Sequence, residues 1–383
     1  MNLLQLATHY LNHSIKGRYV TNNDLESILK SLSGKFLITK IGSSVMNKPI
    51  YGIEIGTGKK KILMWSQMHG NESTTTKGLF DFFNYLDNDV NAKHLLNEVT
   101  LFCIPILNPD GAELYTRLNA NEIDLNRDAL DQSQPESRVL RKVFLEFKPD
   151  YCFNLHDQRT IFGTDGYEKP ATMSFLAPAF NIERDYNETR LNAITIINSI
   201  HNTLKDFIPE QIGRFDDSFN DNCVGDYFTT QGKPTILFEA GHYSNDYERD
   251  EVRKFVFISL FVGISSIYEN VIVDNNLDEY LKIPQNKSLF YDFIYKNIKI
   301  IKKNKEKLIN FAAQYHEVLV DSKIQFIAKI VEIDNLEDKK GHYEFDGKEA
   351  EFDSEFGKMP KINEIANFSL KKMLKFHNGI YIN

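Results

Sequence analysis

Lys61-Ile62-Leu63-Met64-Trp65-Ser66-Gln67-Met68-His69-Gly70-Asn71-Glu72-Ser73 is the stretch from which the fold reads most directly. Its first half is an apolar run with no polar alternation, the pattern of a strand buried on both faces. Its second half is a polar, glycine-containing loop. Residues 73–86 then repeat apolar side chains at spacings of three and four, the signature of a helix with one buried face.

The same alternation extends in both directions. Strand-like runs fall at 36–41, 50–55, 99–106, 151–155, 173–177 and 235–239, and helical spacing at 23–32, 135–147, 187–207 and 246–268. Strands alternating with helices imply an α/β fold, with a mixed, largely parallel central sheet flanked by helices. After about residue 275 the texture changes. A Lys- and Tyr-rich stretch, 287–314, reads as helical, a β-like run follows at 324–333, and polar turns surround Gly341 and Gly347. The expected division is a large domain at 1–275 and a small C-terminal α+β accessory domain at 276–383, whose role the sequence does not disclose.

Composition narrows the function classes. Of 383 residues, 42% are hydrophobic, and 28 Phe and 18 Tyr supply material for a large aromatic core. The formal charge of −8 opposes binding to a nucleic-acid backbone. The basic cluster Lys302-Lys303-Asn304-Lys305-Glu306-Lys307 is too short to reverse that and reads as a solvated helix face. Cys103, Cys152 and Cys223 form no C-x-x-C pair, so neither a disulfide framework nor a thiolate metal site is expected. The N-terminus lacks the basic and apolar regions of a signal peptide, so a cytoplasmic location is expected. The apolar stretch 255–268 falls short of the roughly 20 residues that span a bilayer and reads as a buried helix; no membrane partner is expected. Oligomeric state is not legible.

The chemistry begins at His69 and Glu72. An imidazole and a carboxylate at this spacing, on a loop at a strand end, can converge on one zinc ion at about 2.0–2.2 Å. Alone the pair is a weak signal in a chain with 10 His and 53 acidic residues. A catalytic zinc site needs a third protein ligand and an open position, and His156 closes the apolar run Tyr151-Cys152-Phe153-Asn154-Leu155, at the strand end where ligands collect in open α/β sheets. Between them lie Asn108-Pro109-Asp110-Gly111, leading to Arg117, and Asp124-Leu125-Asn126-Arg127-Asp128, both loop-like. Guanidinium groups there would clamp a substrate carboxylate or stabilise an oxyanion; surface ion pairs are the plainer use of the same residues. Glu239 ends a further apolar run and is placed to serve as a base toward water, or to pair with a cation.

In this order the segments resemble the zinc carboxypeptidase family (peptidase family M14), over about residues 35–270. The resemblance implies one Zn2+ ion held by His69, Glu72 and His156, Glu239 as general base and acid, and Arg117 polarising the scissile carbonyl. It also implies Asn126 and Arg127 on the substrate's terminal carboxylate, and Asp124 accepting a hydrogen bond from His69. The implied activity is hydrolysis of a peptide (amide) bond that removes a C-terminal residue. The substrate would be a peptide or an N-acyl amino acid with a free carboxylate.

One feature departs from the pattern. The family's mobile Tyr, about twenty residues before the catalytic Glu, is absent, since that stretch reads Arg214-Phe215-Asp216-Asp217-Ser218-Phe219. Tyr227 stands nearest and is the candidate to replace it in contacting substrate. Two other functions stay open. One is a zinc deacylase of small N-acyl amino acids, resembling the succinylglutamate desuccinylase and aspartoacylase group, toward which Glu239-Ala240-Gly241 leans. The other is an inactive zinc- or carboxylate-binding module, which the retention of Glu239 and all three ligands argues against.

Overall fold

The computed structural model describes residues 1–274, 276–302 and 305–382, and divides into two compact units: 1–158 with 164–286, and 159–163 with 287–383. The division falls beyond the expected boundary at residue 275, which itself lies outside the described residues, and it assigns five residues of the middle of the chain to the C-terminal unit.

Strands of the first unit are β1 (Leu37–Ser43), β2 (Pro49–Gly56), β3 (Lys60–Ser66), β4 (Val99–Ile104), β5 (Tyr151–Asp157), β7 (Met173–Leu176), β8 (Ile212–Arg214) and β9 (Thr235–Ala240), while the short β6 (Phe162–Thr164) begins within the five residues assigned to the second unit. These eight form one sheet in the order β1-β2-β4-β3-β5-β9-β7-β8. Its middle is parallel, from β4 through β3 and β5 to β9, while β1, β2 and β7 add antiparallel pairings. The α/β fold expected from the sequence is borne out.

Helices α1 (Leu3–His9), α2 (Asn22–Ser31), α3 (Thr74–Asn88), α4 (Ala92–Glu98), α5 (Pro109–Leu114), α6 (Pro135–Phe147), α7 (Glu188–Leu204), α8 (Val224–Thr230), α9 (Val252–Tyr268) and α10 (Asn276–Lys282) surround it. The continuous apolar run of β3 is explained by its two faces. Ile62 and Met64 join the cluster that α3, α7 and α9 cover, while Leu63 and Trp65 join the one that α6 and α8 cover. At about 25 cal/mol per Å2 of apolar surface removed from water, two-sided burial is the main stabilising term for the central strands.

Helix α9 is buried along most of its length, as expected, and among the described residues no helix is long and apolar enough to cross a membrane. It begins later than the expected residue 246. Asp246 accepts hydrogen bonds from the backbone N–H groups of Asp250, Glu251 and Val252, and Arg249 stands at φ 59°, outside helical geometry. A carboxylate on free N–H groups is a strong helix start.

In the second unit, after a short β10 (Asn286–Ser288) at the boundary, β11 (Phe290–Lys302), β12 (Lys305–Val320), β13 (Lys323–Glu332) and β14 (Lys340–Asp346) form a sheet in the order β13-β12-β11-β14. A second sheet joins β15 (Phe352–Asp353), β16 (Phe368–Leu370), β17 (Leu374–His377) and β18 (Ile380–Ile382). The helix expected at 287–314 is corrected to strands. The register of β11 on β12 slips between Tyr295 and Ile298, with Asn297 at φ 54°, so one irregularity breaks the two-residue alternation that would have marked a strand. The basic cluster expected on a helix face lies at the ends of β11 and β12, with Lys303 and Asn304 outside the described residues. This unit is β-rich, around an aromatic core that includes Phe293, Tyr295, Phe311, Phe368 and Phe376.

Candidate active site

Strand β3 ends at Ser66, and the chain turns at Gln67, whose φ of 45° lies in the left-handed region. The Gln67 amide holds that turn by donating to the carbonyls of Val20 (3.0 Å) and Gly70 (2.9 Å). At Gly70 the chain passes so close to α5 that a β-carbon would lie 1.9 Å from the Gly111 carbonyl carbon, so only glycine fits. The motif Asn-Pro-Asp-Gly, read as a loop, opens α5. Asn108 caps it by accepting the Gly111 N–H (2.9 Å), Pro109 takes the first turn, and the buried Asp110 accepts from Ser44 Oγ and the Met46 N–H (both 2.9 Å). Asn followed by Pro is a helix-start signal, and would have marked this helix. Asn108 Nδ2 also donates to the Met68 carbonyl (3.2 Å), bracing the loop from behind.

The turn aims His69 and Glu72 at the end of β5. His69 Nδ1 lies 2.9 Å from Glu72 Oε1, His156 Nδ1 lies 2.8 Å from Glu72 Oε2, and the two imidazole nitrogens are 3.1 Å apart. All three side chains are buried. Donor atoms on a tetrahedral zinc with bonds of about 2.0–2.1 Å sit about 3.3 Å from one another, so these two nitrogens and one carboxylate have the spacing and chemistry of three zinc ligands. His69 Nε2 donates to Asp124 Oδ1 (2.9 Å), which leaves the Nδ1 lone pair facing the cluster.

Asp124 organises the next segment as well. It caps the 3-10 turn Leu125–Arg127 by accepting the Asn126 N–H (2.8 Å), and its second oxygen accepts from Arg117 Nη2 (3.1 Å). Arg117, half exposed, also donates from Nη1 to Glu72 Oε1 (3.0 Å). Asn126 is buried, with its carbonyl oxygen on the Val224 N–H at the start of α8 (3.2 Å), and the exposed Arg127 donates to the Asn126 backbone carbonyl (2.7 Å).

Glu239 ends β9 directly beside His156, its register partner in β5. Burial drives its carboxyl well above the usual carboxylate range, and the negative charges of Glu72 and Asp157 add to the rise against an opposing pull from Arg117. Burial works in the same direction on Glu72 but is overcome by His69 and His156, which hold that carboxylate far below its ordinary range. Burial likewise opposes, and His69 and Arg117 outweigh it, at Asp124.

His69, Glu72, His156, Asp124 and Arg117 are thus joined by direct contacts, with Glu239 alongside and Asn126 and Arg127 carried on the same turn as Asp124. Tyr227 sits on α8, the helix whose first N–H meets Asn126, with the Arg141 guanidinium 4.6 Å from its ring centre and Phe228 beside it. Sequence reading missed Asp157, whose carboxylate accepts the N–H groups of Thr74 (2.8 Å) and Thr75 (3.2 Å). A buried acid directly after a strand-end ligand was the available signal.

Residues 22–161 match the family described as zinc carboxypeptidase. Carboxypeptidase SOL1 of Arabidopsis thaliana is 29% identical over 186 residues, covering 42% of this chain and 38% of that protein. Gamma-D-glutamyl-L-diamino acid endopeptidase 1 of Lysinibacillus sphaericus is 38% identical over 85 residues, 20% of this chain and 22% of that protein. The chain therefore aligns with well under half the length of either relative. Among solved structures, a metallo-carboxypeptidase from Burkholderia cenocepacia superposes with a TM-score of 0.53 at 16% identity, covering 66% of this chain and 69% of that one, a likeness of fold.

Proposed function

We propose that this chain, a member of the zinc carboxypeptidase family through residues 22–161, hydrolyses a peptide bond and releases the C-terminal residue of its substrate. The observation that carries this reading is the meeting of His69 Nδ1, Glu72 and His156 Nδ1 at zinc-ligand spacing, with Glu239 in register beside His156.

His69, Glu72 and His156 would hold one zinc ion. Zinc, when bound, supplies Lewis-acid polarisation of the scissile carbonyl and lowers the pKa of a water to about 7. Glu239 takes a proton from the attacking water as the carbon–oxygen bond forms. It then delivers that proton to the amine nitrogen as the carbon–nitrogen bond breaks. Arg117 leaves its carboxylate partners to reach the carbonyl oxygen, while Asn126 and Arg127 receive the terminal carboxylate of the substrate.

The test is mass spectrometry of products after the zinc-loaded full chain meets a pool of peptides and N-acyl amino acids, beside a chelated control. Chelator-sensitive release of single C-terminal residues is expected. Release of acyl groups alone would replace the peptidase with a deacylase, and internal cleavage alone, including at γ-glutamyl linkages, would replace it with an endopeptidase. Absence of any product would leave a binding module.

A further inference from the structure

His69 is oriented from its far side by Asp124, but the far nitrogen of His156 has no such partner: Nε2 is buried without a hydrogen bond among the described residues, so beyond its Nδ1 contacts with Glu72 and His69 the ring depends on its backbone for its aim. Two charged residues hold that backbone. The N–H of Asp157 donates to Glu72 Oε2 (3.2 Å), while its carboxylate accepts the Thr74 and Thr75 N–H groups, which open α3 immediately after the Glu72 loop. Asp157 thereby bridges the two segments that bring the metal ligands together. The cationic groups facing it are Arg18 and Arg249.

Arg249 makes the second bridge. It is buried, stands at φ 59°, and spends its guanidinium on backbone carbonyls: Nη2 donates to Gln158 (3.0 Å), and Nη1 to Ala240 (2.8 Å) and Gly241. These carbonyls lie just beyond His156 on β5 and just beyond Glu239 on β9. The Ala240 carbonyl also accepts the Gln158 N–H (2.8 Å), so the two strand ends share one knot. At Gly241 a β-carbon would meet the Ala171 carbonyl oxygen at 1.9 Å, so only glycine fits at the end of β9.

We propose that Asp157 and Arg249 are positioning residues with separable effects. Asp157 sets the spacing of Glu72 and His69 against His156, and therefore zinc affinity. Arg249 sets Glu239 against His156, and therefore turnover. The proposal rests on the zinc-hydrolase reading above.

The experiment compares wild type, Asp157→Asn, Asp157→Ala and Arg249→Lys in the full chain. It measures zinc affinity by chelator competition, kcat and KM on the peptide that wild type cleaves, and Tm. Asp157→Ala is expected to weaken zinc by about tenfold or more, the range for residues that orient ligands. Asp157→Asn, which keeps one acceptor oxygen for Thr74, should fall between it and wild type. Arg249→Lys should keep zinc affinity within about twofold while kcat falls about tenfold at nearly constant KM, the pattern of an interaction lost in the transition state. Wild-type zinc affinity in the Asp157 variants overturns the first role, and parallel loss of zinc and kcat in Arg249→Lys overturns the second. Should the alanine variant fail to fold, Asp157→Asn decides alone. A wild-type chain that binds no zinc would instead sink the functional reading itself.

Discussion

Glu239 and His156 are register partners on adjacent parallel strands, so a residue assigned to proton transfer stands one strand spacing from a residue assigned to the metal. Neighbouring strands lie about 4.8 Å apart, which places both side chains at one strand-end edge, where open α/β sheets gather ligands.

Glu239→Gln keeps the shape of the side chain and removes its proton chemistry. Zinc content should stay at the wild-type level while kcat falls by about 10²–10⁴-fold, the usual worth of a positioned acid–base group. Metal analysis and steady-state kinetics on one preparation would check this, and a zinc-replete mutant of normal turnover would remove Glu239 from the mechanism.

His156→Ala takes away one of two nitrogen donors and should abolish stoichiometric zinc binding. A ligand that binds only the folded state raises Tm, so chelation should lower the Tm of wild type and leave that of His156→Ala unmoved. Differential scanning calorimetry with and without chelator decides it; an equal drop in both would mean that the ion sits elsewhere.

Asp124→Ala removes the acceptor that fixes the His69 tautomer and the partner that holds Arg117. Zinc affinity should fall by about 10–100-fold, with a further loss in kcat. Asp124→Asn should restore part of the affinity, because an amide oxygen still accepts from Nε2. Equal affinity in all three proteins would contradict the tautomer role.

Asp226 offers a pH test away from the metal ligands. Burial drives its carboxyl up to about 7, against the pull of the Asn220 N–H, Arg127 and Arg190 and with the help of Asp217. Because the folded-state value exceeds the unfolded one of 3.8, its stabilising contribution is full below about pH 3.8 and is lost as pH rises through 7. Asp226→Asn, which cannot ionise, should therefore gain Tm relative to wild type between pH 4 and 8. A pH-independent difference in Tm would show that the two states bind this proton alike.

The strands around the site were legible because their apolar runs are continuous: β3 and β5 bury both faces, and no surface alternation obscures them. The second unit was harder to read, since the slip at Asn297 in β11 moves later side chains to the opposite phase, and pattern alone then favoured a helix. Asn108-Pro109 carried a helix start that was read as loop, because the helix it opens runs only from Pro109 to Leu114.

For the site, the sequence by itself determined which residue types end which strands: His69 and Glu72 after β3, His156 at the end of β5, Glu239 at the end of β9. Chain order could place them at strand ends because local apolar pattern decides where a strand stops. Only the tertiary structure decided that β5 and β9 are neighbours in parallel register, that Asp124 meets the far side of His69, that the Tyr227 ring lies under Arg141, and that Asp157 and Arg249 tie the segments together. Those relationships depend on sheet order and on hydrogen bonds between segments remote in sequence, which no local pattern encodes.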